Sequence, residues 1–116
     1  YMEFKRDEED TRYRLLGHSH IPALFEYDGE NATLQKPEVG EGYKIKKDKR
    51  YLINPGSIGQ PRDGNWKASL AILKFQEDVP REITFYRLNY PVEKTREKII
   101  KANLPKELGD RLLSGK

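Results

Sequence analysis

Apolar and polar residues alternate along much of the chain before residue 90, a period-two pattern that is typical of β-strands. The strongest runs predict strands at residues 13–17, 23–27, 31–35, 51–54, 68–75 and 82–88. Tyr43 and Ile45 alternate with lysines and indicate a further one-sided strand. Asp28-Gly29 is a strong hairpin signal between the second and third runs. These patterns predict a mostly antiparallel sheet.

After residue 90 the period changes to that of an α-helix. Residues that can face a core recur at helical spacing, namely Val92, Thr95, Ile99 and Ala102, and later Leu108, Leu112 and Leu113. Leu104-Pro105 interrupts the pattern, so it predicts two helices, at 91–102 and 106–113. Gly115 stands where a C-cap glycine belongs, and Glu77 to Pro80 is expected to be a turn.

The expected fold is therefore α+β, with the strands first and two C-terminal helices. The chain is expected to form a single unit with a polar lead-in at 1–12, sheet and loops at 13–90, and helices at 91–116.

Both histidines lie in one stretch, Leu15-Leu16-Gly17-His18-Ser19-His20, at the end of the first predicted strand. In an extended or tightly turned backbone, residues i and i+2 can project to the same side. His18 and His20 are therefore candidate ligands for one metal ion or for two neighbouring ions. The His-x-His pattern alone is also common on protein surfaces, where it has no such role.

A second stretch of interest is residues 54–64, which are rich in Gly and Pro. This composition predicts a long loop over 55–67. Its candidate anion-binding groups are the backbone amides of Gly56, Ser57 and Gly59 and the guanidinium of Arg62. The alternative is a tight crossover in which Asn54, Pro55 and Gly56 only set the backbone shape. Asp63 is expected to cap a turn before Gly64, and Trp66 to cover the edge of the core.

These two stretches, in this order and followed by Ala-Ser-Leu-Ala-Ile-Leu, resemble the calcineurin-like metallophosphoesterases, and most closely their small prokaryotic phosphodiesterase branch. The resemblance extends from Leu15 to the last helix. It implies that the chain is the C-terminal half of a four-layer α/β/β/α sandwich.

The resemblance also implies a function, which is divalent-metal-dependent hydrolysis of a phosphoester, specifically a phosphodiester. In such a site His18 would bind the second metal of a dinuclear centre and His20 the first. Asn54, Ser57 and Arg62 would bind substrate. Mn²⁺ is the expected metal, and Fe, Zn, Ni or Co are compatible with such ligands.

One departure from the family pattern limits this expectation. The family's other ligands are an Asp-x-His pair, a bridging Asp, a Gly-Asn-His segment and a further His, all N-terminal to the Gly-His-Thr/Ser-His motif. This chain has no histidine besides His18 and His20. Two imidazoles cannot hold two divalent ions, because catalytic sites use about three protein ligands per metal. The expected partner is therefore the missing N-terminal half of the domain or a partner chain, without which the chain is expected to be inactive.

Two alternatives come from other functional classes. One is a truncated, non-catalytic interaction module that has lost the metal site. The other is a small basic nucleic-acid-binding domain that uses the lysines and tyrosines of residues 43–51. A solvated edge hairpin protected by lysines is the favoured interpretation of that run, so nucleic acid is not an expected partner.

Composition adds a few limits. Hydrophobic and charged residues each make up 35% of the chain, and the net charge is +3. This low apolar content indicates a thin core or a surface that needs a partner, and that partner can be a second copy of the chain, as in a homo-oligomer. With no cysteine, the chain can form neither disulfides nor thiolate metal sites. No apolar run approaches the roughly 20 residues that span a bilayer, so a cytoplasmic protein away from membranes is expected.

Overall fold

The structure is a computed structural model, and it describes residues 12–116. The part of the chain that it describes contains seven strands followed by two helices: β1 Tyr13–Leu15, β2 Ala23–Tyr27, β3 Ala32–Gln35, β4 Gly42–Lys44, β5 Arg50–Asn54, β6 Ala68–Gln76, β7 Val79–Leu88, α1 Val92–Lys101 and α2 Lys106–Ser114. The predicted α+β class, with strands first and two C-terminal helices, is confirmed. The predicted lead-in at 1–12 lies outside the described residues except for Arg12.

The strands divide between two sheets, which the periodicity alone does not show. The first sheet has the order β1-β5-β2-β3, and the second has the order β4-β7-β6. Strands β1 and β5 are parallel, whereas all the other neighbours are antiparallel. The loop at 55–67 carries the chain from β5 in the first sheet to β6 in the second.

The two sheets share one hydrophobic core. Its buried members come from both, and they are Leu24, Ile45, Tyr51, Ile53, Ile83 and Phe85. Tyr13 stacks on the buried Tyr51 from β1, and Tyr43 meets Phe85 edge to face from β4. Aromatic side chains thus complete the core where the short edge strands supply few aliphatic residues.

The hairpin between β6 and β7 is tighter than the sequence predicted. Only Glu77 and Asp78 form the turn, both with positive φ (50° and 60°), as a two-residue hairpin of the primed type requires. Val79 and Pro80 therefore belong to β7, which begins before the predicted residue 82. Pro80 is opposite Phe75 at a register shift, where a proline without an amide hydrogen is tolerated.

The two helices pack against each other, and no described strand lies closely against either of them. Arg96 Nε of α1 donates to the Asp110 carboxylate of α2 at 2.6 Å. Leu112 is buried, but Leu108 and Leu113, which were expected to face inward, are each 37% exposed. That expectation was wrong because helices with no sheet beside them leave part of their apolar faces uncovered. No helix in residues 12–116 is long and apolar enough to cross a membrane.

Candidate functional site

The two histidines lie in a tight turn just after β1. The pairing of β1 with β5 continues as far as Leu16, whose amide donates to the Ile53 carbonyl at 3.0 Å. Ser19 N then donates to Gly17 O at 2.9 Å. His18 and His20 both have positive φ, 70° and 61°, a region that non-glycine residues rarely adopt. Such backbone strain persists only where the surroundings hold it, and it is concentrated at functional sites.

Asn54, the last residue of β5, holds this turn against the start of the 55–67 loop. Its side chain is buried, and Nδ2 donates to Gly17 O at 3.1 Å and to Ser19 Oγ at 2.8 Å. Its Oδ1 accepts from the amide of Gly56 at 3.0 Å. The structure thus brings the two motif stretches together through one side chain. Because Asn54 uses the Gly56 amide, that amide is not free to bind an anion, and the expected anion-binding nest is left with the amides of Ser57 and Gly59.

His20 is held from two sides by the same loop. Its Nδ1 lies 2.7 Å from the carbonyl oxygen of Gln60, and its own carbonyl accepts from Arg62 N at 3.3 Å. A carbonyl oxygen can only accept, so the geometry assigns a proton to Nδ1, and in the neutral ring the lone pair is then on Nε2. A histidine that ligates a metal usually donates its other ring nitrogen in this way to a carbonyl or carboxylate. The Gln60 carbonyl thus fixes the orientation of the His20 ring.

His18 lies in the same turn, and its side chain is exposed. Residues 12–116 contain no group of three or more His, Cys, Asp or Glu side chains that could hold a metal ion. Imidazoles suit first-row divalent ions, so the histidines fit part of such a site. They do not form a complete one.

The remaining two candidates, Ser57 and Arg62, lie on the loop itself. Ser57 Oγ accepts from Gln60 N at 3.0 Å, which leaves the hydroxyl hydrogen free to donate. Arg62 is exposed and uses Nη2 to donate to its neighbour Gln60 Oε1 at 3.1 Å. A guanidinium has five N–H donors, so it can still bind a phosphate.

Asp63 does not cap a turn, as the sequence suggested, but forms an ion pair with Arg87 of β7. Both side chains are almost fully buried, at 9% and 8% exposure. The sequence indicates a buried position for Arg87, because alternation along β7 puts it on the same inward face as Ile83 and Phe85. A charged side chain in a core position needs a partner, and Asp63 supplies it.

Trp66 and the basic run at residues 43–51 were also noted in the sequence. Trp66 is partly buried and packs against Tyr90, with ring centroids 6.0 Å apart. In the basic run, Lys49 forms an ion pair with Glu26 of β2. This hydrogen bond lowers the pKa of the Glu26 carboxyl and raises that of the Lys49 ammonium. Pairing reduces the positive charge that this run offers to a nucleic acid.

Comparison with known proteins finds similar chains, while no protein-family model matches. An uncharacterised protein of Methanocaldococcus jannaschii is 45% identical over 102 residues, which are 88% of this chain and 39% of that protein. The crystal structure of a metallophosphoesterase from Sphaerobacter thermophilus superposes with a TM-score of 0.82 at 36% identity. The match covers 92% of this chain and 43% of the solved one.

This chain shares its fold with part of a metallophosphoesterase. It spans less than half the length of either similar protein. No sequence signal points to Gln60, because it acts through its backbone carbonyl, which any residue carries.

Proposed function

We propose that this chain forms one wall of the active site of a metal-dependent phosphodiesterase, with His18 and His20 as metal ligands. The observation that carries the proposal is that His20 is hydrogen-bonded to Gln60 through its ring Nδ1 and to Arg62 through its backbone carbonyl. These bonds leave Nε2 available as a ligand. The fold similarity to a metallophosphoesterase at 36% identity supports the reaction class. Cytoplasmic location and Mn²⁺ as the metal are part of the proposal.

In this scheme the residues of the chain have separate tasks. Bound divalent ions would lower the pKa of a water and polarise the phosphoryl oxygens. His18 and His20 would hold them. Asn54, which the sequence placed among the substrate-binding residues, would instead keep the strained turn in place, because its buried amide is bonded to Gly17, Ser19 and Gly56. Arg62 would bind the phosphate charge, and the Ser57 hydroxyl would donate a hydrogen bond to the substrate.

The site needs further ligands, and we propose that they come from the rest of the same domain or from a partner chain. An apolar groove of about 340 Å³ offers a docking surface. Its lining includes Leu15, Leu16 and Ile53 from the first sheet and its end, and Ala71 and Leu73 from the second sheet. These residues lie on or beside β1 and β6, which are edge strands of the two sheets within the described residues.

The groove also explains how docking would complete the site. Gly17, directly before His18, forms part of its lining. A segment seated in the groove would therefore place its own side chains next to the histidine turn. Leu15 is 71% exposed in the chain alone, which is unusual for a leucine in a strand and suits a surface that is covered in the assembled site.

The test is hydrolysis of bis-p-nitrophenyl phosphate with added Mn²⁺. The 116-residue chain alone should be inactive. Co-expression with the part of the Methanocaldococcus jannaschii protein that lies outside the match should restore turnover. His18→Ala and His20→Ala should each lower the restored rate at least about 100-fold, because removing a metal ligand empties or distorts the site. Glu30→Ala, at an exposed hairpin position, is the control and should leave the rate unchanged.

Two outcomes would contradict the proposal. Metal-dependent turnover by the chain alone, abolished by His18→Ala, would show that the site is complete without a partner. Association of the two parts without metal binding or turnover would instead support the non-catalytic interaction module, which the incomplete ligand set among the described residues favours.

A further inference from the structure

The 60–67 part of the loop is fixed from the second sheet by one guanidinium. Arg87 Nη2 donates to the Asp63 carboxylate, and Nη1 donates to the Lys67 carbonyl at 3.0 Å and the Asn65 carbonyl at 3.5 Å. A planar fork of donors can hold several acceptors at fixed angles, which a lysine ammonium cannot do in the same way. Arg87 thus ties three residues of the loop to β7.

The end of α2 fixes the same segment from a different direction. Gly64 N donates to the carbonyl of Gly115 at 2.9 Å. Gly115 has a φ of 66°, and a Cβ at this position would lie 2.7 Å from the backbone N and C of Asn65. The C-cap of α2 therefore packs against the loop backbone so closely that only glycine fits without a shift.

These two anchors lie next to the residues that hold His20. Asp63 follows Arg62, whose amide donates to His20 O, and Pro61 between Arg62 and Gln60 is fully buried. Gln60 O accepts from His20 Nδ1. The anchors are thus three or four residues along the chain from the carbonyl that assigns the ring proton.

We infer that Arg87 and Gly115 are positioning residues for His20, because they fix the loop whose Gln60 carbonyl sets its tautomer. Asp63, Gly64, Arg87 and Gly115 together form what we call the loop clamp. This inference rests on the proposed role of His20 as a metal ligand. A buried ion pair is often no more stabilising than apolar residues of the same size, so the clamp is better explained by the geometry it imposes than by stability.

The first test compares two glycine substitutions that carry the same kind of backbone strain. Gly115→Ala adds a Cβ against Asn65, whereas Gly40→Ala, at a φ of 80°, adds a Cβ that meets nothing within 4 Å. Both variants are made in the 116-residue chain, co-expressed with the complementing part of the Methanocaldococcus jannaschii protein. The ¹⁵N chemical shifts of the His20 ring nitrogens, assigned by their loss in His20→Ala, report the tautomer without any metal.

The expected result is a mixed tautomer in Gly115→Ala and an unchanged one in Gly40→Ala. Affinity for Zn²⁺ or Mn²⁺, measured by calorimetry, should fall about tenfold in Gly115→Ala and not in Gly40→Ala, the size seen when an outer partner of a ligating histidine is lost. Arg87→Lys should show the same two changes, because lysine keeps the charge beside Asp63 but not the bonds to Asn65 and Lys67.

If Gly115→Ala does not fold, deletion of residues 115–116 removes the bond to Gly64 without crowding Asn65, and the same shifts are measured. An unchanged His20 tautomer in folded Arg87→Lys and in either Gly115 variant would overturn the inference. Failure of this inference can be told apart from failure of the proposed function. If the wild-type protein binds no metal, the proposed function fails, but the ¹⁵N shifts still show whether the clamp sets the His20 tautomer.

Discussion

At the scale of single residues, the site combines backbone strain with the side chain that supports it. His18 and His20 occupy the left-handed region, which costs about 1–2 kcal/mol for each non-glycine residue. Asn54 offsets this cost with hydrogen bonds to both sides of the turn and to the next loop. Since Asn54 itself is buried, its amide has no water to replace these partners.

Replacement of Asn54 by alanine should therefore destabilise the fold as well as the site. Three hydrogen bonds are lost, so the free energy of unfolding should fall by about 2–4 kcal/mol in urea denaturation. Asn89→Ala is the matched control, because Asn89 is exposed, and it should change the free energy of unfolding by less than about 0.5 kcal/mol. Equal stability of the two variants would show that Asn54 does not hold the turn.

Arg62 should act on substrate binding rather than on stability. It is exposed, and its side-chain contact with Gln60 lies within the same loop. In the complemented enzyme Arg62→Ala should raise KM for the phosphodiester about tenfold with little change in kcat, because a phosphate carries its charge throughout the reaction. Lys94→Ala, which removes an exposed cation from α1, should leave both constants unchanged. A fall in kcat with unchanged KM would instead give Arg62 a role specific to the transition state.

At the scale of elements, most of the fold could be predicted and most of the contacts in the site could not. Alternation and helical period are local signals, so β2, β5, β6 and both helices were predicted to within about two residues. The division into two sheets depends on pairings such as β4 with β7, which join distant parts of the chain. The pairing of Asp63 with Arg87 is similarly non-local.

The pairing of β2 with β5 carries the clearest electrostatic feature among the described strands. The Glu26 carboxylate accepts from Lys49 and from the Tyr51 hydroxyl, and its pKa is lowered from 4.5 chiefly by the Lys49 hydrogen bond. A carboxyl whose pKa is lower in the folded than in the unfolded protein stabilises the fold at any pH above its unfolded pKa. This stability is lost as the pH falls through the folded pKa. The raised pKa of Lys49 adds stability that is lost as the pH rises through its folded value, above 10.5.

Glu26→Gln should accordingly lower the melting temperature most between about pH 5 and pH 10, with the difference from wild type shrinking on either side of that window. Glu82→Gln is the matched control. Its partner Lys74, at 3.2 Å on the second sheet, is 65% exposed, and exposed pairs contribute little. A pH-independent difference for Glu26→Gln would show that its effect comes from packing rather than from charge.

At the scale of the whole molecule, the described fold is elongated and open. The radius of gyration is 16.8 Å, whereas about 13 Å is usual for a compact domain of roughly this length. The helices pack on each other rather than on a sheet, and the groove between β1 and β6 is apolar. β6 is an edge strand of nine residues with Lys74 as its one charged side chain, a length and composition that monomeric proteins normally cover.

This shape leads to a prediction about the docking surface. Leu15→Glu places a charge in the groove, and it should weaken association with the complementing part of the Methanocaldococcus jannaschii protein. Burial of one leucine contributes about 1.5–3 kcal/mol, so the dissociation constant should rise roughly 10- to 100-fold in calorimetry. Leu34→Glu is the matched control, since Leu34 is 61% exposed on β3, at the opposite edge of the same sheet.

The comparison distinguishes binding in the groove from non-specific hydrophobic association, because both substitutions remove an exposed leucine from an edge strand and add the same charge. Equal weakening by Leu15→Glu and Leu34→Glu would place the interface elsewhere or make it non-specific. Sedimentation of the chain alone tests the homo-oligomer, since self-association that Leu15→Glu abolishes and Leu34→Glu does not would mean that a second copy closes the groove. In that case each copy would bring its own His18 and His20 to the interface, since the described residues of one copy form no group of three or more possible ligands.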